Sequence, residues 1–320
     1  MALKDIRGQE NAVSIIKGIM ARDRIAGSYL FTGESGIGKR TAALNFAKAL
    51  NCLDISGQGS GMDSCDSCSS CRKIDAGIHP DLLVIDPEDR QIKIEEIRAV
   101  EEALAFRPFE GRKKIVLIDD ADTMNQAAAN AFLKTLEEPP EGSLIILVSS
   151  RPDRMPSTVL SRCSRIPFRT LSLDACREVL HGKISDEDAD KAARLSLGRP
   201  GLALSSDLKE DRDWFVNLLG AMLKADKDNW ASRPEAEKWL DIAMAYFRDL
   251  AVLRISGRAS ALINADIQKE MAKTGKSVEL QGIIAICKEL SSLKGLLQFN
   301  LNKSLVWNYT ASMLRKGLLS

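Results

Sequence analysis

The sequence lacks several features that would assign it to a simple class. Its 320 residues contain no apolar run close to the ~20 residues that a membrane-spanning helix needs. The opening MALKDIRGQE has no apolar segment of the kind found in secretory signals, so we expect a cytosolic protein. Lys plus Arg (45) nearly cancels Asp plus Glu (44), which argues against wrapping nucleic acid by bulk charge.

Histidine is scarce, and no repeat or low-complexity segment is present. His79 precedes a proline and is expected to shape a turn, and His181 is expected at a surface; neither has a visible nucleophile or metal partner. The seven cysteines are not expected to form disulfides in a reducing cytosol. A chain of 35.1 kDa with 45% hydrophobic residues is long enough for two or three domains.

The first half of the chain alternates short β-branched runs with amphipathic stretches, which predicts a parallel sheet with helices on both faces. Unbroken apolar runs are typical of buried parallel strands, and they predict strands at 28–32, 82–86, 115–119 and 144–149. Helices are predicted at 39–51, 94–106 and 125–136, the last followed by the helix-stopping Pro139 and Pro140.

The character of the sequence changes after Arg169. The next stretch predicts a small helical unit that closes at Gly198 and the Arg199-Pro200-Gly201 turn. Beyond it, 3.6-residue periodicity at 239–255 and 283–299 predicts a helical bundle without strands. We therefore predict an α/β domain at 1–170, a small helical lid at 171–206 and an all-α domain at 207–320.

A glycine-rich loop lies between the first predicted strand and the helix that follows it. Residues 33–39, GESGIGK, match the strand–GxxxxGK–helix pattern of a phosphate-binding loop, or P-loop. Gly33, Gly36 and Gly38 let the backbone curl so that several N–H groups point at one anion, and Lys39 supplies charge for the outer phosphates. A tight turn with a chance lysine is the alternative, which the flanking strand and helix disfavour.

Two positions depart from what metal-assisted hydrolysis needs. The residue after Lys39 should offer a hydroxyl to Mg²⁺, but it is Arg40, and Thr41 lies about 100° further around the helix. The strand at 115–119 ends in Asp119-Asp120, where a glutamate in second place would position water; an aspartate is shorter by ~1.5 Å. The P-loop implies an ATP ligand, but we expect its Mg²⁺-dependent hydrolysis to be weak or absent. Solvated carboxylates at a strand end are the alternative for the two aspartates.

Four cysteines cluster after the P-loop helix. Cys65, Cys68 and Cys71 form a CxxCxxC run, and Cys52 follows the helix directly. Four thiolates are the ligand set of a tetrahedral structural Zn²⁺, and the Gly/Ser-rich segment between Cys52 and Cys65 is flexible enough to bring them together. Zinc is the prediction, an iron–sulfur cluster is the competing metal, and unligated thiols are disfavoured.

These motifs occur in an order that resembles the bacterial clamp-loader AAA+ family of DNA polymerase III, over nearly the whole chain. The other motifs are Gly8-Gln9-Glu10, GIHPDL at 77–82, DDAD at 119–122, LKTLEEPP at 133–140, Ser161-Arg162-Cys163 and Asn300-Leu301-Asn302. LKTLEEPP followed by Ser-Arg-Cys at this spacing is highly specific. The resemblance implies an AAA+ P-loop domain with a zinc-module insertion at 52–75, a helical lid, and a collar domain that joins subunits in a hetero-oligomeric ring.

The resemblance also implies roles for single residues. In this family the arginine of Ser-Arg-Cys acts on ATP bound to a neighbouring subunit, so Arg162 would be an arginine finger in trans; a surface arginine that caps a short helix is the alternative. Ser149 and Ser150 occupy the sensor-1 region, and Gly201 stands where active relatives carry a lid arginine. The candidate nucleotide-binding residues are Gly33, Gly36, Gly38, Lys39, Arg40, Thr41, Asp119, Asp120, Ser149 and Ser150.

The three departures together resemble the delta-prime subunit, which donates a finger and turns over little ATP itself. The implied partners are the gamma/tau and delta subunits and, through the complex, the sliding clamp and primed DNA. A catalytically active gamma/tau-type ATPase is the alternative, in which Arg40 and Asp120 are tolerated variants. An unrelated AAA+ DNA motor such as a branch-migration helicase is disfavoured by the cysteine insertion and by Ser-Arg-Cys.

Overall fold

The computed structural model describes residues 1–22, 25–54, 63–87, 91–205, 207–224, 230–275, 278–299 and 301–319. The chain divides into two compact units, Met1–Val179 with Gly198–Gly201 and Leu180–Leu197 with Leu202–Ser320. The three domain ranges predicted from the sequence stay predictions. Asn300 and the segment 55–62 between the first two cysteines lie outside the described residues.

The first unit contains a five-stranded sheet in which all the strands are parallel. Its strands, in the spatial order β2-β3-β4-β1-β5, are β1 (Ser28–Thr32), β2 (Leu82–Ile85), β3 (Lys114–Ile118), β4 (Ser143–Ser149) and β5 (Ser164–Pro167). The four predicted strands are confirmed to within one residue at each end. Strand β5 was not predicted, because this edge strand buries only Ile166.

Helices cover both faces of this sheet. The helices of the first unit are α1 (Glu10–Ala21), α2 (Lys39–Asn51), α3 (Ser69–Asp75), α4 (Ile94–Leu104), α5 (Gln126–Glu137), α6 (Ser157–Leu160) and α7 (Leu173–Leu180, of which the last residue belongs to the second unit). Because alternate residues of a strand point to opposite faces, Leu30 packs with α4 and α5, whereas Tyr29 meets Phe46 of α2 edge-to-face at 5.8 Å. Helix α4 ends two residues before the predicted limit, since Pro108 disfavours helical backbone just ahead of it.

The second unit consists of helices packed around aromatic side chains. Its helices are α8 (Asp186–Leu195), α9 (Pro200–Ser205, of which the first two residues belong to the first unit), α10 (Leu208–Lys224), α11 (Arg233–Ser256), α12 (Gln268–Gly275), α13 (Leu280–Leu296) and α14 (Lys303–Leu319). Trp230 lies between Trp239 and Trp307, at 5.7 and 5.2 Å between ring centroids. None of the helices in the described part of the chain combines the length and apolar character of a membrane span.

The carboxyl ends of the parallel strands meet at one edge of the sheet. Thr32 at the end of β1 pairs with Ser149 at the end of β4, and Ile85 of β2 pairs with Ile118 of β3. The P-loop, Asp86, Asp119 and Ser150 follow these strand ends directly. Open parallel sheets place their ligand sites at this edge.

Candidate functional site

The P-loop connects β1 to α2 through backbone that favours glycine. Gly33, Gly36 and Gly38 have φ angles of 142°, 78° and 94°. Lys39, the first residue of α2, is 6% exposed, and its Nζ donates to the carbonyl oxygens of Gly33 and Glu34 at 2.6 Å each. Burial lowers the pKa of Lys39, and nearby carboxylates partly oppose this shift. The lysine ammonium is therefore held by backbone dipoles.

Gly201 lies against the P-loop within the first unit. Its N–H donates to the carbonyl oxygen of Gly36 at 2.8 Å. A Cβ atom at position 201 would lie 2.8 Å from the Cα and 2.9 Å from the carbonyl oxygen of Gly36, so this contact requires glycine. Two residues earlier, Arg199 approaches the carboxylate of Glu34 at 3.9 Å. The position where active relatives carry an arginine is thus used for a backbone contact.

Arg40 holds two carboxylates that follow neighbouring strands. Its Nη1 donates to Asp86 Oδ1 and, at 3.0 Å, to Asp119 Oδ2, and its Nη2 donates to Asp86 Oδ2 at 3.0 Å. The hydrogen bond to Asp86 raises the pKa of Arg40, which stays charged. Thr41 lies half-buried on α2, where its carbonyl oxygen accepts from Asn45 Nδ2 at 2.8 Å. The guanidinium therefore occupies the surroundings of Asp119 that a metal ion would need.

The DDAD turn after β3 organises the end of β4. Asp122 Oδ1 accepts from Ser149 Oγ at 2.6 Å and from the N–H of Ser150 at 3.1 Å. Asp120 has a φ of 42°; partial desolvation and then repulsion by Asp119 and Asp122 raise the pKa of its carboxyl. The serines of the sensor-1 region are fixed by an aspartate for which the sequence suggested no such contact.

Arg162 is oriented by the LKTLEEPP motif. Its Nε and Nη2 donate to Glu137 Oε2 at 3.2 and 2.9 Å, and its Nη1 donates to the carbonyl oxygen of Thr158 at 3.0 Å. Glu137 ends α5 and Thr158 belongs to α6. The Arg162 side chain remains 30% exposed. Two motifs that lie 25 residues apart in the sequence thus meet in one ion pair.

The four predicted metal ligands lie together. The Sγ atoms of Cys52, Cys65, Cys68 and Cys71 all lie within 4.8 Å of one another, and Cys65 and Cys71 are 4.0 Å apart. Backbone N–H groups of Cys65, Cys68 and Cys71 donate to the sulfur atoms of Cys52, Cys65 and Cys68 at 3.3–3.4 Å. Such N–H contacts stabilise thiolates, so the cluster has the ligands and the polar surroundings of a metal centre.

This cysteine module, residues 63–75 with Cys52, also supplies charge to the P-loop helix. Lys48 of α2 has a side chain that is 1% exposed, and its Nζ lies 2.7 Å from Asp66 Oδ1 and 2.7 Å from Asp75 Oδ1. Asp66 follows Cys65 in left-handed backbone with a φ of 58°. Both counter-charges of this buried ammonium therefore come from the cysteine module.

Two residues of the GIHPDL motif, His79 and Asp81, have a structural role. His79 is buried; its Nε2 lies 3.1 Å from Ser70 Oγ, and its Nδ1 accepts from the N–H of Asp81 at 3.1 Å. Asp81 is fully buried and accepts from the backbone N–H groups of residues 109–111 at 2.7–2.8 Å. These two side chains close the loop that leads into β3.

Comparison with known proteins places the chain in a family. Among solved structures, a DNA polymerase III gamma subunit-related protein from Thermotoga maritima aligns with a TM-score of 0.43 and 18% identity, over 96% of this chain and 99% of that one. DNA polymerase III subunit delta' of Bacillus subtilis is 29% identical over 97% of both chains, and that of Pseudomonas aeruginosa is 31% identical over 71% of this chain and 70% of that protein. The family described as "DNA polymerase III, delta subunit" matches residues 8–172, more than half of the chain. The chain belongs to the DNA polymerase III clamp-loader family.

Relatives named tau or gamma are matched over less of their own length. DNA polymerase III subunit tau/gamma of Haemophilus influenzae is 32% identical over 71% of this chain but only 34% of that protein. The α/β unit has the AAA+ P-loop fold that the sequence predicted, with helices on both sheet faces.

The groups that this family implies fit the chain unequally. Mg²⁺ prefers six oxygen ligands at about 2.0–2.1 Å, and here the P-loop hydroxyl is absent while Asp119 is paired with Arg40. Mg²⁺ therefore does not fit the arrangement of this clamp-loader pocket. The cysteine cluster does fit a tetrahedral metal, because four thiols converge and Cys52 and Cys71 are buried.

The sequence analysis missed three contacts of the candidate site. Asp86 was predicted as a strand end, Asp122 as part of the DDAD motif and Glu137 as part of LKTLEEPP, all without a contact. For Asp86 a signal existed, because the carboxyl ends of adjacent parallel strands meet at one edge. For Glu137 and Asp122 only the three-dimensional arrangement shows the partner.

Proposed function

We propose that the chain is a delta-prime-like subunit of the DNA polymerase III clamp loader. It donates Arg162 to ATP bound by a neighbouring subunit and turns over little ATP itself. The observation that carries this proposal is the contrast between two arginines. Arg162 is oriented and partly exposed, whereas Arg40 fills the place of the metal in the chain's own pocket.

The contacts of Arg162 suit a finger that acts on another chain. A guanidinium has five N–H donors, and Glu137 and Thr158 engage three of them in the described structure. The other two can meet phosphate oxygens. Because the side chain is held in place beforehand, little conformational entropy is lost when it reaches the transition state. An arginine finger is worth ~10³–10⁵ in the rate of hydrolysis.

The chain's own pocket supports weak turnover. Arg40 stands where the hydroxyl that binds Mg²⁺ would be, and Asp120 stands where a glutamate would position water. Efficient P-loop hydrolysis depends on both groups. The gamma/tau-type ATPase remains the alternative function, and it requires Mg²⁺-dependent turnover by the isolated chain that Lys39→Ala abolishes.

The remaining features support the same role. The delta' and tau/gamma names of the relatives support a place in a hetero-oligomeric ring with gamma/tau and delta subunits, which would load a sliding clamp on primed DNA in the cytoplasm. The helical region 207–320 would form the collar of that ring.

We further propose that the cysteine cluster holds a structural Zn²⁺. Zn–S bonds of ~2.3 Å place tetrahedral sulfur atoms ~3.8 Å apart, close to the 4.0 Å between Cys65 and Cys71. With four protein ligands, no position is left open for water. A colourless protein that releases zinc supports this assignment, and a brown protein would indicate the competing iron–sulfur cluster.

The finger is tested in the assembled complex. The purified chain is mixed with gamma/tau and delta subunits, and DNA-stimulated ATP hydrolysis is measured with Arg162→Ala. We expect hydrolysis to fall at least about tenfold, because the neighbouring active site loses its positive charge. Arg165→Ala, at an exposed arginine three residues away, is the matched control. Equal hydrolysis by the parent and Arg162→Ala complexes, with normal assembly, would contradict the proposal.

A further inference from the structure

The chain's own P-loop carries an internal cation in the place of the metal. We propose that this pocket binds a nucleoside di- or triphosphate without a divalent cation, with Arg40 as its permanent positive charge. This inference deepens the proposed function, since it rests on the pocket being non-hydrolysing, but it is independent of Arg162. The bound nucleotide would be kept rather than consumed.

The first step is the exclusion of a divalent cation. Arg40 spans both carboxylates at this edge of the sheet, with two donors to Asp86 and one to Asp119. Mg²⁺ needs oxygen ligands in near-octahedral order, and Arg40 would have to leave before Asp119 could provide one. Its own charge would also repel the incoming ion.

The second step is that the phosphate cradle is still formed. Gly33, Gly36 and Gly38 keep the positive φ angles that turn backbone N–H groups toward one anion, at the N-terminus of the 13-residue helix α2. The Lys39 ammonium is held by two carbonyl oxygens, and no carboxylate among the described residues forms an ion pair with it. Its charge is therefore available to a phosphate that offers stronger acceptors.

The third step concerns charge balance. In a metal-dependent P-loop, Mg²⁺ neutralises both the acidic strand ends and the phosphates. Here Arg40 pairs with both Asp86 and Asp119 and offsets one of their two negative charges, and its position next to Lys39 in the first turn of α2 places it beside the cradle. Arg40 thus takes the place of the metal at the strand ends, and Lys39 supplies positive charge for the phosphates.

The test measures ADP and ATP binding to the purified full chain by calorimetry, once with Mg²⁺ and once with EDTA. We expect dissociation constants that agree within about twofold, and a weakening of about tenfold or more in Lys39→Ala. Arg40→Thr restores the hydroxyl and frees Asp119, so its binding should become at least about tenfold tighter with Mg²⁺ than with EDTA. Arg98→Thr, at an exposed arginine of α4, is the control for the loss of one positive charge.

A second variant separates charge from shape. Arg40→Lys keeps a cation at this position, so its binding should stay independent of Mg²⁺ even if it is weaker. Parent binding that needs Mg²⁺ would overturn the inference, and so would no binding of either nucleotide under both conditions. In both cases a loss of complex activity in Arg162→Ala would leave the proposed finger intact, so the two failures can be told apart.

Discussion

Lys48 gives a direct test of how the cysteine module supports the P-loop helix. Its side chain is 1% exposed, and its two counter-charges are Asp66 and Asp75. Replacing both aspartates by asparagine keeps the size of the side chains but leaves the buried Lys48 ammonium without these two counter-charges. Removing the partner of a buried charge costs ~3–5 kcal/mol; because Asp66 and Asp75 are 32% and 50% exposed, we expect about 2–3 kcal/mol here.

The cost should disappear when the charge is also removed. Methionine resembles lysine in length and is apolar, so Lys48→Met alone should change stability by less than about 1 kcal/mol. Added to the double asparagine variant, Lys48→Met should restore about 2 kcal/mol. Asparagine tolerates the left-handed backbone at position 66, so the fold around Cys65 is kept.

The assay can separate the two units of the molecule. Urea unfolding is followed by hydrogen exchange of the amides of α2 and by tryptophan fluorescence. All four tryptophans, Trp214, Trp230, Trp239 and Trp307, belong to the second unit, so their unfolding should not change. If the triple variant is no more stable than the double asparagine variant, the unpaired Lys48 charge is not the cause of the lost stability.

Three further outcomes are expected. Chelation should release about one equivalent of Zn²⁺ per chain and speed hydrogen exchange of the α2 amides. Unchanged exchange would show that the metal does not stabilise that helix. Burial alone would raise the pKa of the Asp81 carboxyl. The hydrogen bonds from the N–H groups of residues 109–111 outweigh this effect, so the pKa lies below its usual value of 3.8. Its stabilisation is therefore present above that value and lost as pH falls through the lower folded-state pKa. Asp81→Asn should cost about 2 kcal/mol near neutral pH and less in acid, and a pH-independent difference in urea unfolding would refute this. Gly201→Ala should destabilise the first unit by about 1–3 kcal/mol in urea unfolding through its clash with Gly36, whereas Gly220→Ala, whose Cβ meets no atom within 4 Å, should not.

Local patterns were sufficient for much of the fold and for part of the site. Strands β1 to β4 are apolar runs that can be recognised without knowledge of distant residues. The GESGIGK pattern likewise predicts a strand before it and a helix after it. The convergence of Cys52 with the CxxCxxC run followed from ligand chemistry alone. The presence of a cation at the position of Arg40 was also predictable, because that position is fixed relative to Lys39.

The partners of these residues depended on tertiary structure. Arg40 could have pointed to solvent, and only the neighbouring ends of β2 and β3 show that it bridges Asp86 and Asp119. Strand β5 has charged and exposed residues, so its pairing with β1 comes from the sheet rather than from its own pattern. The ion pair of Arg162 with Glu137 joins the end of α5 to the turn after α6, and no periodicity in the sequence encodes their approach.

Helix α2 begins at the phosphate loop and leads directly into Cys52, one of the four proposed metal ligands. Lys39 is its first residue and Cys52 its C-cap, with the 13 residues of the helix in one unbroken run. Inserting or deleting one residue there would rotate the thiol by about 100° and shift it by ~1.5 Å relative to the loop. Relatives that keep both sites should therefore preserve the spacing between Lys39 and Cys52 strictly. The number of residues between Cys52 and Cys65 is expected to vary. Aligned family members that vary the helix length but retain all four thiols would show that the two ends are not mechanically tied.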